Sequence, residues 1–270
     1  MKIPMHFLYC YAYVAATVGW VMLSAPFYSP ARSLVRRMAA ATGWHGPATA
    51  LPQQTLAALT PRTESVRVDN SIDHEFNTSF YELFVLSQLV ADRKPARVFE
   101  FGTFNGRTTL HLAINTPPET RITTIDLPES ESPFEDHAIV GSCYRGTDYA
   151  DRIEQLYANT RRCDLSAYFG QMNFIFIDAS HEYDDVLNDT DLALRLACPD
   201  DCMIVWHDYS QWPGVQQALE QYFVTGGVYA NLQHIRGTTM AVLEMNASTH
   251  QPTSHAANAS TPSPLGRGPG

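Results

Sequence analysis

Four short apolar runs, each closed by a polar residue, constrain this chain more than any other feature. They are Arg97–Phe101 (RVFEF) before Gly102, Arg121–Ile125 (RITTI) before Asp126, Asn173–Ile177 (NFIFI) before Asp178, and Cys202–Trp206 (CMIVW) before His207 and Asp208. Runs this short, rich in β-branched and aromatic residues, read as buried strands. Stretches with three- and four-residue apolar spacing accompany them: Phe76–Val90 leads in, Arg107–Ile114 follows the first run, Asp185–Leu196 the third and Val215–Phe223 the fourth. Strand then helix, repeated, predicts an α/β domain with an open, mainly parallel sheet covered by helices. Tyr229–Ile235 and Thr239–Glu244, joined across Arg236-Gly237, predict a closing hairpin. Residues 127–150, with Pro128, Pro133 and Gly141, read as a long insert of lid or binding-loop character.

In such a sheet, ligands sit beyond the carboxyl ends of the strands. The polar strand ends therefore outline one crevice: Glu100, Gly102, Asp126, Asp178 with His181, and His207 with Asp208. At the first turn, GTFNG, Gly102 lets the backbone bend without a Cβ clash, and Gly106 lets the next helix begin close to a ligand. Glu100 would repel a pyrophosphate but suits a cationic ligand end, such as an amino group. The dinucleotide fingerprint lacks its middle glycine, because Phe104 stands there, and no Gly-Lys-Ser/Thr phosphate loop is present. Asp126, about twenty residues past the turn, is placed to accept both hydroxyls of a ribose.

Composition excludes some functions. A formal net charge of -10 opposes a general affinity for nucleic acid, Arg32, Arg36 and Arg37 being a local exception. The 270 residues suffice for one core with extensions. Cys198 and Cys202 lack a second cysteine–histidine cluster, so they read as a helix end and a strand start rather than a metal pair. Residues 1–65 read as an N-terminal apolar segment and linker, 66–245 as the domain, and 246–270 as a disordered tail too polar to bury itself. The 21 residues from Phe7 to Phe27 carry no charge. As a helix they would extend about 30 Å, so a membrane anchor is expected, with the domain on the cytoplasmic side of the arginine flank. A cleaved signal peptide and a surface helix are the alternatives. The triplets at Asn246 and Asn258 could accept glycans only in a secretory compartment.

The pieces ARVFEFGTFNGRTTLHLA, TTIDLPE, FIFIDASHEYDDVLNDTDLALRL, MIVWHDY and IRGTTMAVLE together resemble the class I S-adenosylmethionine-dependent methyltransferases. More narrowly, they are similar to the bacterial methyltransferase domain 24 family, related to small-molecule O-methyltransferases. The resemblance covers approximately residues 76–244. It implies a Rossmann-like methyltransferase fold: a mostly parallel seven-stranded sheet, an antiparallel last strand and helices on both faces. It implies S-adenosylmethionine as cofactor and a sugar or phenolic hydroxyl of a small molecule as acceptor. Glu100, Gly102, Thr103 and Gly106 would then hold the methionine and sugar parts, and Asp126 the ribose hydroxyls. Some relatives bind Mg²⁺ through carboxylates at the positions of Asp178 and Asp208. In catechol-type relatives a lysine stands at the position of His181, which implies a general-base role here.

Spacing agrees that His181, three residues past Asp178, can reach the same crevice. An ordinary imidazole titrates near about 6.5 and can accept a proton around neutrality. A capping or carbonyl-binding role is the alternative for His181, and for Asp178 a helix cap. The expected catalytic set is therefore His181, Asp178 and Asp208. The chain departs from the family pattern in three places. Tyr209 stands where the Mg²⁺-using relatives have Asn, Asp200-Asp201 replaces Gly-Gly, and Ala158-Asn159-Thr160 replaces Gly-Asp-Ser. A homodimer is allowed. Two other readings stay open: a catalytically inactive scaffold of the same fold, and an NAD-dependent oxidoreductase, which would lack a Tyr-x-x-x-Lys pair.

Overall fold

The computed structural model describes Tyr13 and residues 15–20, 49–62, 64–68, 74, 77–132 and 137–246. Eight strands form one sheet: β1 (Gln53–Gln54), β2 (Arg97–Phe101), β3 (Arg121–Asp126), β4 (Ile153–Tyr157), β5 (Phe174–Ile177), β6 (Asp201–Trp206), β7 (Gln233–Ile235) and β8 (Ala241–Asn246). Their order is β1-β7-β8-β6-β5-β2-β3-β4. Only β8 runs antiparallel to its neighbours β6 and β7. Every other pair is parallel. Among the described residues from 49 onward, the α-helices are α1 (Leu56–Leu59), α2 (Phe80–Arg93), α3 (Arg107–Ile114), α4 (Tyr183–Leu196) and α5 (Pro213–Thr225). This is the expected Rossmann-like α/β sheet, with one strand more than the seven expected.

Alternation along the strands divides the core in two. Phe99, Phe101, Ile175, Ile177, Ile204 and Trp206 meet α4 and α5 on one face. Val98, Ile122, Phe174, Phe176, Met203 and Val205 meet α2 and α3 on the other. Both faces of the central strands are covered, which is why those strands are continuous apolar runs. The half-exposed β4, Ile-Glu-Gln-Leu-Tyr, has no such run and gives little signal in the sequence. The extra strand β1 lies in a stretch that reads as loop. It pairs through backbone alone, with His234 N donating to Pro52 O and Arg236 N to Gln54 O.

The helix expected from Phe76 begins at Phe80, because Ser79 caps it. Ser79 Oγ accepts from Glu82 N at 3.2 Å and donates to Glu82 Oε2 at 2.7 Å, a reciprocal cap. Cys143, Cys163, Cys198 and Cys202 are free thiols, the last two at a helix end and within β6.

The membrane expectation is corrected. Among the described residues no helix is long and apolar enough to cross a membrane. Of residues 7–27 the structure describes Tyr13 and 15–20, which are helical. Such a stretch covers about 12 Å, less than half of a hydrocarbon layer of about 30 Å. The anchor, the membrane association and the localisation inferred from it therefore fall. The rest of that segment, the arginine flank and the tail after Asn246 lie outside the described residues.

Candidate functional site

Register brings the acidic strand ends together. Glu100 pairs with Thr124 of β3 and with Phe176 of β5. Side-chain alternation then puts Glu100, Asp126 and Asp178 on the same face of the sheet, the one covered by α2 and α3.

The glycine turn between β2 and α3 is built on left-handed backbone. Gly102 has φ 89° and Gly106 φ 76°, while Phe104 takes φ 47° despite its side chain. A Cβ on Gly102 would stand 2.1 Å from the carbonyl oxygen of Asp178, so only glycine lets β2 and β5 turn away side by side. A Cβ on Gly106 would stand 2.6 Å from the ring of Tyr144. The insert closes onto the turn: Gly141 N donates to Phe104 O and Cys143 N to Asn105 O, each at 2.8 Å. Gly106 thus makes room for the insert, a partner the sequence does not suggest. Asp126 locks the same turn. Its Oδ2 accepts from Thr103 N at 3.0 Å and Phe104 N at 2.7 Å, and its Oδ1 from Leu127 N at 2.7 Å. Thr103 shares a 2.7 Å hydroxyl bond with Thr124 and accepts from Gln155 Nε2 at 3.0 Å.

The structure places Glu100 beneath this turn, not on the crevice surface. It is fully buried, and its Oε2 accepts from the hydroxyls of Thr109 and Thr124. Its Oε1 has no hydrogen-bond partner. Burial pushes the carboxyl up to about 8, against the two threonine bonds and with help from Asp178 and Asp126. It therefore carries its proton at neutrality, unlike in the unfolded chain. Between the ordinary carboxylate range and about pH 8 the folded state binds the extra proton, so Glu100 costs stability as pH rises, at most about 1.4 kcal/mol per pH unit. The Glu100→Gln variant is expected to melt above the wild type at pH 8, the gap narrowing toward pH 5. Equal melting-temperature differences at both pH values would show that Glu100 is not buried as an acid.

A second cluster gathers around the tips of β5 and β6. His207 Nδ1 lies 3.1 Å from Asp178 Oδ1 and 3.4 Å from Asp208 Oδ1, and its Nε2 lies 3.4 Å from Glu82 Oε2. His181 Nε2 lies 2.9 Å from Asp208 Oδ2, and the His181 ring stacks on Trp212 with centroids 4.7 Å apart and planes 7° apart. Asp208 itself adopts φ 62°, a conformation that costs a non-glycine residue about 1–3 kcal/mol and collects at functional sites. Burial opposes charge on Asp208, but His207 and His181 hold its carboxyl well below the usual range. Burial likewise opposes charge on His207, but Asp178 and Asp208 raise it well above an ordinary imidazole. Thr78 Oγ1 approaches Asp178 Oδ2 at 3.4 Å from the residues before α2. A cavity of about 10 Å³, the size of a single water, is lined by Asp178, Ser180, His181, Trp206 and His207 among others.

The structure thus brings His181, Asp178 and Asp208 together, and sets Gly102, Thr103, Gly106 and Asp126 in the adjoining turn. Beside Asp126 a cleft of about 550 Å³ opens between Pro128, Glu129, His137, Ala138, Arg145 and Tyr157. Glu82 and Thr78 are the members that sequence reasoning missed. The Ser-x-x-Glu of a capping box at Ser79 and Glu82 was the available signal, but it announces only a helix start. Asp189, within α4, is buried, accepts from Asn188 Nδ2 at 3.0 Å and is pushed by burial up to about 6. Tyr209 is wholly buried, its hydroxyl accepting from Leu51 N at 3.1 Å and donating to Glu220 Oε1 at 3.0 Å.

None of the curated proteins matches this sequence. Among solved structures, the O-methyltransferase TomG of Streptomyces achromogenes, determined with SAM, has TM-score 0.50 and 19% identity, covering 63% of this chain and 82% of that one. The SAH-bound methyltransferase PaMTH1 of Podospora anserina has TM-score 0.50 and 16% identity, covering 63% and 80%. At these identities the likeness is one of fold. Residues 99–209, which run from β2 through the Asp208 cluster, match the family described as a methyltransferase domain. By that match, residues 99–209 are identified as a methyltransferase domain of the class I S-adenosylmethionine-dependent superfamily.

Proposed function

We propose that the domain transfers a methyl group from S-adenosylmethionine to a hydroxyl oxygen of a small molecule, a phenol or a sugar. The observation that carries this reading is the meeting of His181, Asp178 and Asp208 on one crevice that continues into the Asp126 turn. The residues present fit the cofactor. Three backbone amides aim the Asp126 carboxylate, leaving lone pairs for ribose hydroxyls. The adjoining cleft of about 550 Å³ falls within the usual range for small-molecule sites. The rings of His137 and Tyr157, 5.1 Å apart, offer it flat walls. The turn from Gly102 through Thr103 to Gly106 would border the sugar and methionine parts, with Glu100 supporting it from below. The cofactor, when bound, supplies an electrophilic methyl on a sulfonium, so no covalent protein nucleophile is needed.

The chain's own work is to orient the acceptor and receive its proton. His181, a third of its side chain exposed, is the proton acceptor. Asp208 balances the imidazolium that forms, and the Trp212 stack holds the ring plane. A divalent cation also fits here, because Asp178, His207 and Asp208 each present a ligand atom within 4.8 Å of the others. Such an ion would lower the acceptor hydroxyl's pKa. In the scaffold reading the same residues would be idle. Incubation of the full chain with methyl-labelled S-adenosylmethionine and a panel of phenols, sugars and amines separates the two. Label is expected in ethers of hydroxyl acceptors. Label in amines alone would overturn the oxygen assignment, and label in nothing would favour the scaffold.

A further inference from the structure

The cation reading above takes its oxygen ligands from Asp178 and Asp208, and the inference here rests on that reading. We infer that the centre selects a divalent ion that accepts nitrogen, of the Mn²⁺, Fe²⁺ or Zn²⁺ kind, over Mg²⁺, and that Glu82 is the positioning residue that presents His207 to it. Three observations lead there.

First, the donor set is mixed. His207 Nδ1 stands with one oxygen each of Asp178 and Asp208, all within 4.8 Å of one another. Mg²⁺ is a hard ion that favours an all-oxygen shell, whereas imidazole suits softer first-row ions. The position after Asp208 cannot restore an oxygen, because the Tyr209 hydroxyl is committed to Leu51 N and Glu220 Oε1 on the far side.

Second, His207 Nδ1 is buried and has no aligned hydrogen-bond partner, although two carboxylates lie 3.1 and 3.4 Å away. The nitrogen is thus grouped with two carboxylate oxygens rather than aligned on either, metal binding releases the proton such a ligand carries, and His207 lines the cavity of about 10 Å³.

Third, the opposite nitrogen is spoken for. His207 Nε2 faces Glu82 Oε2 at 3.4 Å. That carboxylate is fixed from two sides: Thr239 N and Thr239 Oγ1 each donate to Oε1 at 2.7 Å, and Ser79 Oγ donates to Oε2 at 2.7 Å. A carboxylate on the far nitrogen places the imidazole proton there and turns the other nitrogen to the metal. Helix α2 and the loop before β8 therefore hold one ligand in place without touching the ion.

The test uses the full chain stripped with a chelator, and free Mn²⁺ followed by its electron paramagnetic signal. One Mn²⁺ per chain is expected to bind, and a hundredfold excess of Mg²⁺ should fail to displace it. Glu82→Gln is expected to weaken Mn²⁺ binding about 10–100-fold. His207→Asp should shrink the preference for Mn²⁺ over Mg²⁺ at least tenfold. Thr239→Val, which removes one of the donors that fix Glu82, should give a smaller weakening if Glu82→Gln proves unfolded by circular dichroism. Mn²⁺ binding unchanged in folded Glu82→Gln or in Thr239→Val, or Mg²⁺ displacing Mn²⁺ at equal concentration, overturns the inference while leaving the cation reading intact. If neither ion binds, the cation reading itself falls and takes the inference with it.

Discussion

Alanine at Gly102 is expected to lower the melting temperature by more than about 8 °C and to abolish methyl transfer. Two costs add. The backbone there sits at φ 89°, where an L side chain is strained by about 1–3 kcal/mol. The new Cβ would also stand 2.1 Å from the Asp178 carbonyl oxygen and 2.7 Å from its carbonyl carbon, both backbone atoms that cannot swing away. Relief requires β2 and β5 to part at their tips, where Phe101 O accepts from Asp178 N at 2.9 Å. A total near 4 kcal/mol corresponds to roughly 8–16 °C in a domain of this size. The loss of activity follows from the same displacement, since it moves Asp178 away from His207. Thermal unfolding by circular dichroism decides the point, and a melting temperature within about 2 °C of wild type would show that the turn is not held as described.

The second large effect concerns Asp208 and His181. Asp208→Asn is expected to reduce kcat/KM by about three orders of magnitude, within the range of a lost acid–base partnership. The substitution keeps the shape at φ 62° but removes the charge 2.9 Å from His181 Nε2. His181→Ala should cost a similar factor, because the proton acceptor itself is gone. The double variant should be hardly worse than either single one, since the two act as a unit. Additive losses would mean that they serve separate steps. The comparison is made on initial rates of S-adenosylhomocysteine release, with each variant's melting temperature as control.

How far the sequence reveals this molecule depends on how each part is stabilised. Strands β2, β3, β5 and β6 are legible because both their faces are buried, and Phe99, Phe174, Ile204 and Trp206 leave a dense apolar signature. Asp126, Asp178 and Asp208 are legible because a parallel sheet collects function at strand ends. Strand β1 is not, since Gln53 and Gln54 join the sheet through backbone bonds that any residue can make. Glu82 is not, because its ties to Thr239 and His207 span 157 and 125 positions along the chain. Tyr144 escapes notice for the same reason: nothing local says that an insert will fill the space above Gly106. Glu100 shows a further limit. Its place at the end of a strand is plain, but whether it faces a ligand or lies sealed under Thr109 and Thr124 depends on packing alone.

The cofactor is expected to bind where Asp126 and the Gly102–Gly106 turn border the crevice. Isothermal calorimetry of S-adenosylhomocysteine against the full chain, wild type and Asp126→Ala, measures it directly. Saturable binding of one molecule per chain is predicted, weakened at least about tenfold in the variant, equivalent to about 1.4 kcal/mol. No heat of binding to the folded wild type, or the same affinity in both proteins, would contradict it.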